Sequence, residues 1–489
     1  MNFLMRGLWP RPAPHPSKKR EVRGTPPEPP VWACGPFTCA GEAGGPSQPW
    51  LTDESATQPV STGTHSPSGS LSSEAGKPRL REGRNRARKK TIAMVALVVM
   101  AVLAAGCASV ANPNGWARPE VTGKVMYVTL ERGKLTSVDT GTFQKIWTFP
   151  ASDEFACGGG ETKKIKNDGI YGSPAIDDAN VYFGTYDGAV YAVKQSDGTC
   201  VWRIETGDNL LAAPILGEAG LYVAATDGYL YLLDPKNGDQ KTKFNAGDVW
   251  ATPLLKDDGL YVATMTGKLW KLDPTTLDSK WSTPFSVSTA LLTPPTAVRD
   301  DMIVVGGIGK KLYGIDPETG EQKWSTDGAN WFWGEPFVDG TTVYATDLDG
   351  EVTAINGTNG DKVWDAPFSA LHSIRSGPVI AGEALVTVDN DGVVYRIDPS
   401  TGKGIGQPNL LNESVHASPL VLNADGTPAV SLGNQTIPHV AALATTSTTP
   451  SPAASGSAGS AQKVYIVTTG GHVFEFDPDA GRTSQVVSK

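Results

Sequence analysis

The sequence predicts an all-β chain, an eight-bladed β-propeller of four-stranded antiparallel blades, and three observations predict it. A phrase recurs about every 40 residues: an apolar pair with Tyr, a Gly turn, a second apolar run ending in Asp, another Gly turn, then often Trp. Within each copy apolar and polar residues alternate and Val, Tyr and Ile abound, which is strand chemistry rather than the 3.6-residue stripe of a helical repeat. The 55 Gly break each copy every few positions, so no segment is long enough for a helix pair. A fixed period of this length with several short strands per copy matches a propeller blade, and eight such sheets closed into a ring leave few exposed edges.

The N-terminal part reads as an address. Residues 1–83 are rich in Pro, Gly, Ser and Glu without apolar periodicity, a composition that does not bury enough surface to order itself. Translation starting near Leu80 would leave a signal of normal length behind it. The basic run Arg84, Arg86, Arg88, Lys89 and Lys90 then precedes 14 apolar residues, Ile92 to Ala105, too few to span a bilayer comfortably. Basic, apolar, then small residues over 84–106 is the grammar of a secretory signal. Leu103-Ala104-Ala105-Gly106-Cys107 resembles the bacterial lipobox, which implies that Cys107 carries lipid and becomes the first mature residue; an uncleaved signal anchor is the alternative. Residues 107–119 would then link the lipid anchor to the propeller. The expectation is an exported protein held by lipid on the outer face of the cytoplasmic membrane, or on the outer membrane if the host has one.

Residues 120–489 hold the repeats. Lys194, Asp234, Asp273, Asp316, Asn356 and Asp398 occupy one position of the phrase and are 39 to 43 residues apart, while the first and last gaps are stretched by insertions. Asp-Gly pairs at 187–188, 227–228, 349–350 and 391–392 supply the positive φ of tight hairpins. Asp347-Leu348-Asp349-Gly350 and Asp389-Asn390-Asp391-Gly392 also look like fragments of calcium loops, but the remaining ligands are missing and the turn reading is preferred. Asp-Pro-x-Thr-Gly at 316–320 and 398–402 makes the next turn, and the Trp that follows such turns (147, 202, 281, 324, 364) is expected to pack a blade edge on its neighbour. The stretch 443–461, which after Leu443 consists only of Ala, Thr, Ser, Pro and Gly, is a low-complexity insertion in the last blade. Cys157 and Cys200 remain after processing and either pair or stay free, since sequence alone does not place them side by side.

Charge excludes one class of partner. Residues 1–106 hold 14 Lys+Arg against 7 Asp+Glu, so of the total net charge of −9 the remainder carries −16, a poor surface for nucleic acid. The motifs HExxH, GxSxG, a Walker lysine loop and a GxGxxG after a strand are all missing, and six His leave little material for a metal cluster.

The phrases of 120–485, above all the run Tyr-x-x-Asp-Pro-x-Thr-Gly-x-x-x-Trp, resemble the PQQ-type, quinoprotein-like propeller repeat. That family includes quinone-dependent alcohol and sugar dehydrogenases and also cofactor-free envelope lipoproteins of the BamB-like kind. The resemblance implies, for the first group, PQQ held over calcium by acidic and amide ligands, for which Asp248, Asn330 and Glu413 are the nominal oxygen donors here. It also implies a vicinal Cys-Cys pair, which this sequence lacks. The expectation is therefore a monomeric, non-catalytic scaffold without cofactor or metal that binds a protein partner in the envelope, with a PQQ dehydrogenase as the alternative and a cell-wall glycan binder as a further one.

A site would have to lie at the axis. Each innermost strand is preceded by a small or polar residue and Pro: 173–174, 213–214, 252–253, 293–294, 335–336, 377–378 and 418–419. Three positions before those prolines stand Tyr171, Leu211, Trp250, Leu291, Trp333, Arg375 and His416, with Asp168, Asn209, Trp331, Phe332, His372 and Glu413 nearby. Tyr171, Leu211, Trp250, Trp331, Trp333, Arg375, His416 and Glu413 are the predicted binding rim, because Trp, Tyr and Arg dominate binding hot spots; plugging the channel is the alternative use. Trp250 and Trp331 would serve the glycan reading, and His372 with His416 would be the nominal metal pair.

Overall fold

The computed structural model describes residues 115–131, 133–152, 154–158, 163–164, 169–429 and 462–488, all within one compact unit spanning Asn112–Lys489. The extension 1–83, the signal 84–106, Cys107 and the insertion 443–461 lie outside the described residues, as does Asp168. No helix among the described residues is long and apolar enough to cross a membrane.

Eight four-stranded antiparallel sheets follow one another along the chain, each built from four consecutive strands paired in sequence order. They cover 120–149, 175–205, 215–245, 254–286, 296–327, 337–369, 379–410 and 420–488, and are numbered here as blades 1 to 8. Where alternation of apolar and polar residues is the expectation, the inner strands are unbroken apolar runs, and this explains how blades stack. In the second strand of blade 4, Gly259–Ala263, Leu260 and Val262 join the core shared with blade 3, whereas Tyr261 and Ala263 join the core shared with blade 5. All five residues are buried, because both faces of the sheet are covered. Each neighbouring pair of blades shares one such apolar cluster, and the eighth joins Val121, Met126 and Val128 of blade 1 to Leu420, Tyr465 and Val467 of blade 8. That last cluster closes the ring through side-chain packing rather than by a strand shared between the chain ends.

The five repeat tryptophans fasten blades 1, 2, 4, 5 and 6 each to the next, as expected. Their indole N–H groups donate to a turn carbonyl of the following blade: Trp147 to Gln195 at 2.7 Å, Trp202 to Pro235 at 2.8 Å, Trp281 to Pro317 at 3.0 Å, Trp324 to Gly357 at 3.0 Å and Trp364 to Pro399 at 2.9 Å. The turn glycine is needed twice over. Gly320 has φ +75°, and a Cβ there would meet the Trp281 ring at 2.8 Å.

The two Asp-x-Asp-Gly loops are turns. Asp347 accepts the backbone N–H groups of Asp349 and Glu351 on Oδ1 and those of Ala329 and Asn330 on Oδ2. Asp389 likewise accepts from Asp391 and Val393 and from the Tyr395 hydroxyl. Protein donors fill both buried carboxylates. Cys157 and Cys200 form a disulfide, with Cα atoms 4.8 Å apart, tying the long loop after blade 1 to the last strand of blade 2.

Candidate functional site

The lead-in to each first strand is an extended step ending in Pro, which fits the start of an inner strand because it needs no N–H donor there. All eight lead-ins converge: Trp116, Tyr171, Leu211, Trp250, Leu292, Trp333, Arg375 and His416 line one cavity of about 160 Å³, one from each blade. The first strands therefore surround the axis. Of the predicted rim, Tyr171, Leu211, Trp250, Trp333, Arg375 and His416 meet here.

Four placements differ from the expectation. Trp331 is 41% exposed and lies away from the cavity lining, its backbone carbonyl accepting from Leu348 in the blade 6 hairpin. Glu413 also stays outside the lining; its carboxylate takes the Thr468 hydroxyl and His472 Nδ1, the latter at 2.7 Å, within its own blade. Leu291 is buried in the core between blades 4 and 5, and Leu292 takes the cavity position instead. The cause is the doubled Pro294-Pro295, which shifts blade 5 by one residue: Thr296 pairs with Val304 as Leu254 pairs with Tyr261. Finally, 115–119 belongs to the lead-in of blade 1 rather than to a linker. Trp116-Ala117-Arg118-Pro119 is the eighth copy of the pre-proline motif, and its signal in the sequence was the Pro119 preceding the Glu120–Thr122 strand.

The cavity lining combines aromatic and charged side chains. Trp116 stacks beside His416 at a ring-centroid distance of 4.3 Å and lies 5.6 Å from Tyr171. Arg118 of blade 1 pairs with Glu120 at 2.6 Å and reaches Glu335 of blade 6 at 3.8 Å, so an ion pair crosses the axis between blades that are not neighbours. Burial raises the Glu335 carboxyl above its ordinary range, opposed by Arg118. Burial likewise lowers the Arg375 guanidinium, whose Nε is sealed from solvent without a partner, and among the described residues no carboxylate pairs with it. His416 is pushed down to about 4, first by burial and then by the charge of Arg375, and its Nδ1 is also unpartnered. Asp248, beside the Trp250 indole, is pushed up to about 6 by burial.

Oxygen ligands do not gather for a calcium-bound quinone. Asp248, Asn330 and Glu413 arise on blades 4, 6 and 8 outside the cavity lining, Asn330 donating to Asp349 at 2.6 Å and Glu413 holding His472. His372 sits between Asp389 and Asp391, at 3.1 and 3.4 Å, rather than beside His416. No group of three or more His, Cys, Asp or Glu able to hold a metal ion occurs among the described residues.

Comparison with known proteins places this architecture. The family model described as outer membrane protein assembly factor BamB matches residues 131–283 and 285–486. A curated relative, the outer membrane protein assembly factor BamB of Xanthomonas campestris pv. campestris, is 36% identical over 69 residues, and the match spans only 14% of this chain and 16% of that protein. Among solved structures, BamB from Moraxella catarrhalis superposes with a TM-score of 0.54 at 19% identity, covering 73% of this chain and 93% of that one. The quinohemoprotein alcohol dehydrogenase from Comamonas testosteroni reaches 0.53 at 13% identity over 73% and 70% of the two chains. At these identities the structural neighbours share the fold alone.

Proposed function

The chain belongs to the family described as outer membrane protein assembly factor BamB, and on that premise we propose that it is a non-catalytic scaffold that docks a partner protein at the axial mouth. The observation that carries this reading is the convergence of eight side chains of five kinds, three of them Trp and one an Arg without an acidic partner, around one cavity. The Arg118–Glu335 pair already crosses the channel.

The family and the lipobox-like Leu103–Cys107 together support an exported protein anchored by a lipid on Cys107 and facing an envelope partner. The dehydrogenase reading is not favoured: the nominal calcium ligands Asp248, Asn330 and Glu413 stand apart and two of them already serve protein groups. The cavity is also smaller than the roughly 300–1,000 Å³ common for cofactor-sized ligands. The glycan reading loses its paired platform, because Trp250 lines the cavity and Trp331 does not.

The test uses the mature, acylated protein in its own envelope, crosslinked and purified. A defined partner protein is expected to copurify with the unaltered chain and to be lost from both Trp333→Ala and Arg375→Ala, while both variants keep the wild-type melting temperature within a few degrees. Retention of the same partner by both variants overturns docking at this mouth.

A further inference from the structure

The cavity contains a positive charge whose counter-ion the protein does not supply. Arg118 has Glu120 and Glu335; Arg375 has neither ion pair nor hydrogen bond among the described residues, and its Nε is shut off from solvent. A guanidinium is a donor at every nitrogen and stays charged, so leaving it unpaired in a half-buried place costs free energy that an incoming acceptor oxygen would recover. His416 lines the same cavity, close enough to Arg375 for that charge to disfavour its protonation, and its Nδ1 makes no well-formed hydrogen bond although the Val415 backbone is near. A neutral imidazole offers one further N–H in the appropriate tautomer. The same cavity is lined by the rings of Trp116, Trp250 and Trp333 and by Leu211 and Leu292, together with the polar Tyr171, Ser173, Thr252 and Ser418 and the Arg118–Glu335 pair.

Donors and aromatic rings at equivalent positions around one cavity suit a carboxylate attached to an apolar group. The size of the cavity narrows the source. About 160 Å³ admits a residue-sized group, and the lead-ins that frame it pack closely on one another, since a Cβ on Gly172 would meet the Ala213 backbone at 2.5 Å and one on Gly334 the Ser376 carbonyl at 2.6 Å. A loop presenting Asp or Glu has to bring two backbone strands to the mouth, whereas a chain end brings one. We propose that the axial cavity captures the free C-terminal carboxylate of a partner polypeptide, Arg375 and His416 binding the carboxylate and the Trp116, Trp250 and Trp333 rings holding an apolar last side chain. This rests on the docking reading above and specifies which part of the partner enters.

The test needs no natural partner. Two acetylated tetrapeptides of identical sequence, Ac-Ser-Thr-Val-Phe with a free carboxylate and with a C-terminal amide, are titrated into the mature full chain while tryptophan fluorescence and calorimetric heat are followed. The free acid is expected to bind at least about tenfold more tightly than the amide, a hydrogen bond to a charged group being of that worth. Arg375→Gln removes the difference, and Arg375→Lys, which keeps the charge, retains part of it. Equal binding of acid and amide, no binding of either at millimolar concentration, or an advantage of the acid that survives Arg375→Gln overturns the proposal. So does 3-phenylpropionate binding as tightly as the peptide acid, which assigns the site to small free carboxylates. Partner capture that depends on Trp333 while acid and amide bind alike leaves docking standing and removes only the carboxylate.

Discussion

The blade edges and the axial mouth are both built from one position per blade, yet they have opposite character. At the edges the same solution recurs in five of the eight blades: Trp147, Trp202, Trp281, Trp324 and Trp364 each bond the next blade's turn, because these blades meet their neighbours in the same way. At the mouth the eight equivalent positions hold Trp, Tyr, Leu, Trp, Leu, Trp, Arg and His, since all eight face one shared space and nothing in the fold asks them to be alike. Repetition marks what the ring requires of every blade. Departure from it marks where a single, asymmetric task is located.

The largest effect that tests this contrast is at an edge. Trp281→Ala, at a buried position with a bonded indole, should cost about 3–5 kcal/mol in urea denaturation, whereas Trp333→Ala at the mouth should cost under about 2 kcal/mol. Similar losses at the two positions would break the comparison. Next comes the Cys157–Cys200 bridge, which closes a separation of 43 residues. Replacing both cysteines by Ser should remove about 2–4 kcal/mol in the same measurement, and an unchanged midpoint would make the bridge irrelevant to the edge it ties down.

A smaller effect comes from pH and belongs to the mouth. His416 binds its proton near 4 in the folded chain against 6.5 unfolded, so it withdraws stability as pH falls from about 6.5 towards 4. Asp248 has the opposite sign: its folded value near 6 exceeds 3.8, so its burial costs stability as pH rises from about 3.8 to 6 and returns it on acidification. Melting temperatures at pH 7, 6 and 4.5 should therefore fall more steeply for Asp248→Asn than for the unaltered protein, and less steeply for His416→Gln. Parallel curves would mean that neither group is coupled to folding.

How much was legible in the sequence follows the same division. The blades could be counted because eight copies average out local irregularity, and the unbroken apolar run Leu260, Tyr261 and Val262 is what a strand covered on both faces requires. The mouth was legible wherever the pre-proline motif keeps its spacing. It failed at Leu291, where an added Pro shifts the frame by one residue, and at Trp116, where the motif precedes the first recognisable repeat. The Arg118–Glu335 contact across the axis was invisible, since 217 positions separate the two residues and only closure of the ring unites them. The disulfide was open for the same reason: two cysteines suggest a bond, and only folding brings their Cα atoms to 4.8 Å.

The most direct measurement is amide hydrogen exchange on the mature protein, alone and with its copurified partner. Docking at the axis predicts added protection confined to the lead-ins 115–118, 171–173, 250–252, 333–335, 375–377 and 416–418. Protection on the outermost strands, such as Lys145–Phe149 and Gln240–Asn245, with unchanged exchange in the lead-ins would contradict it.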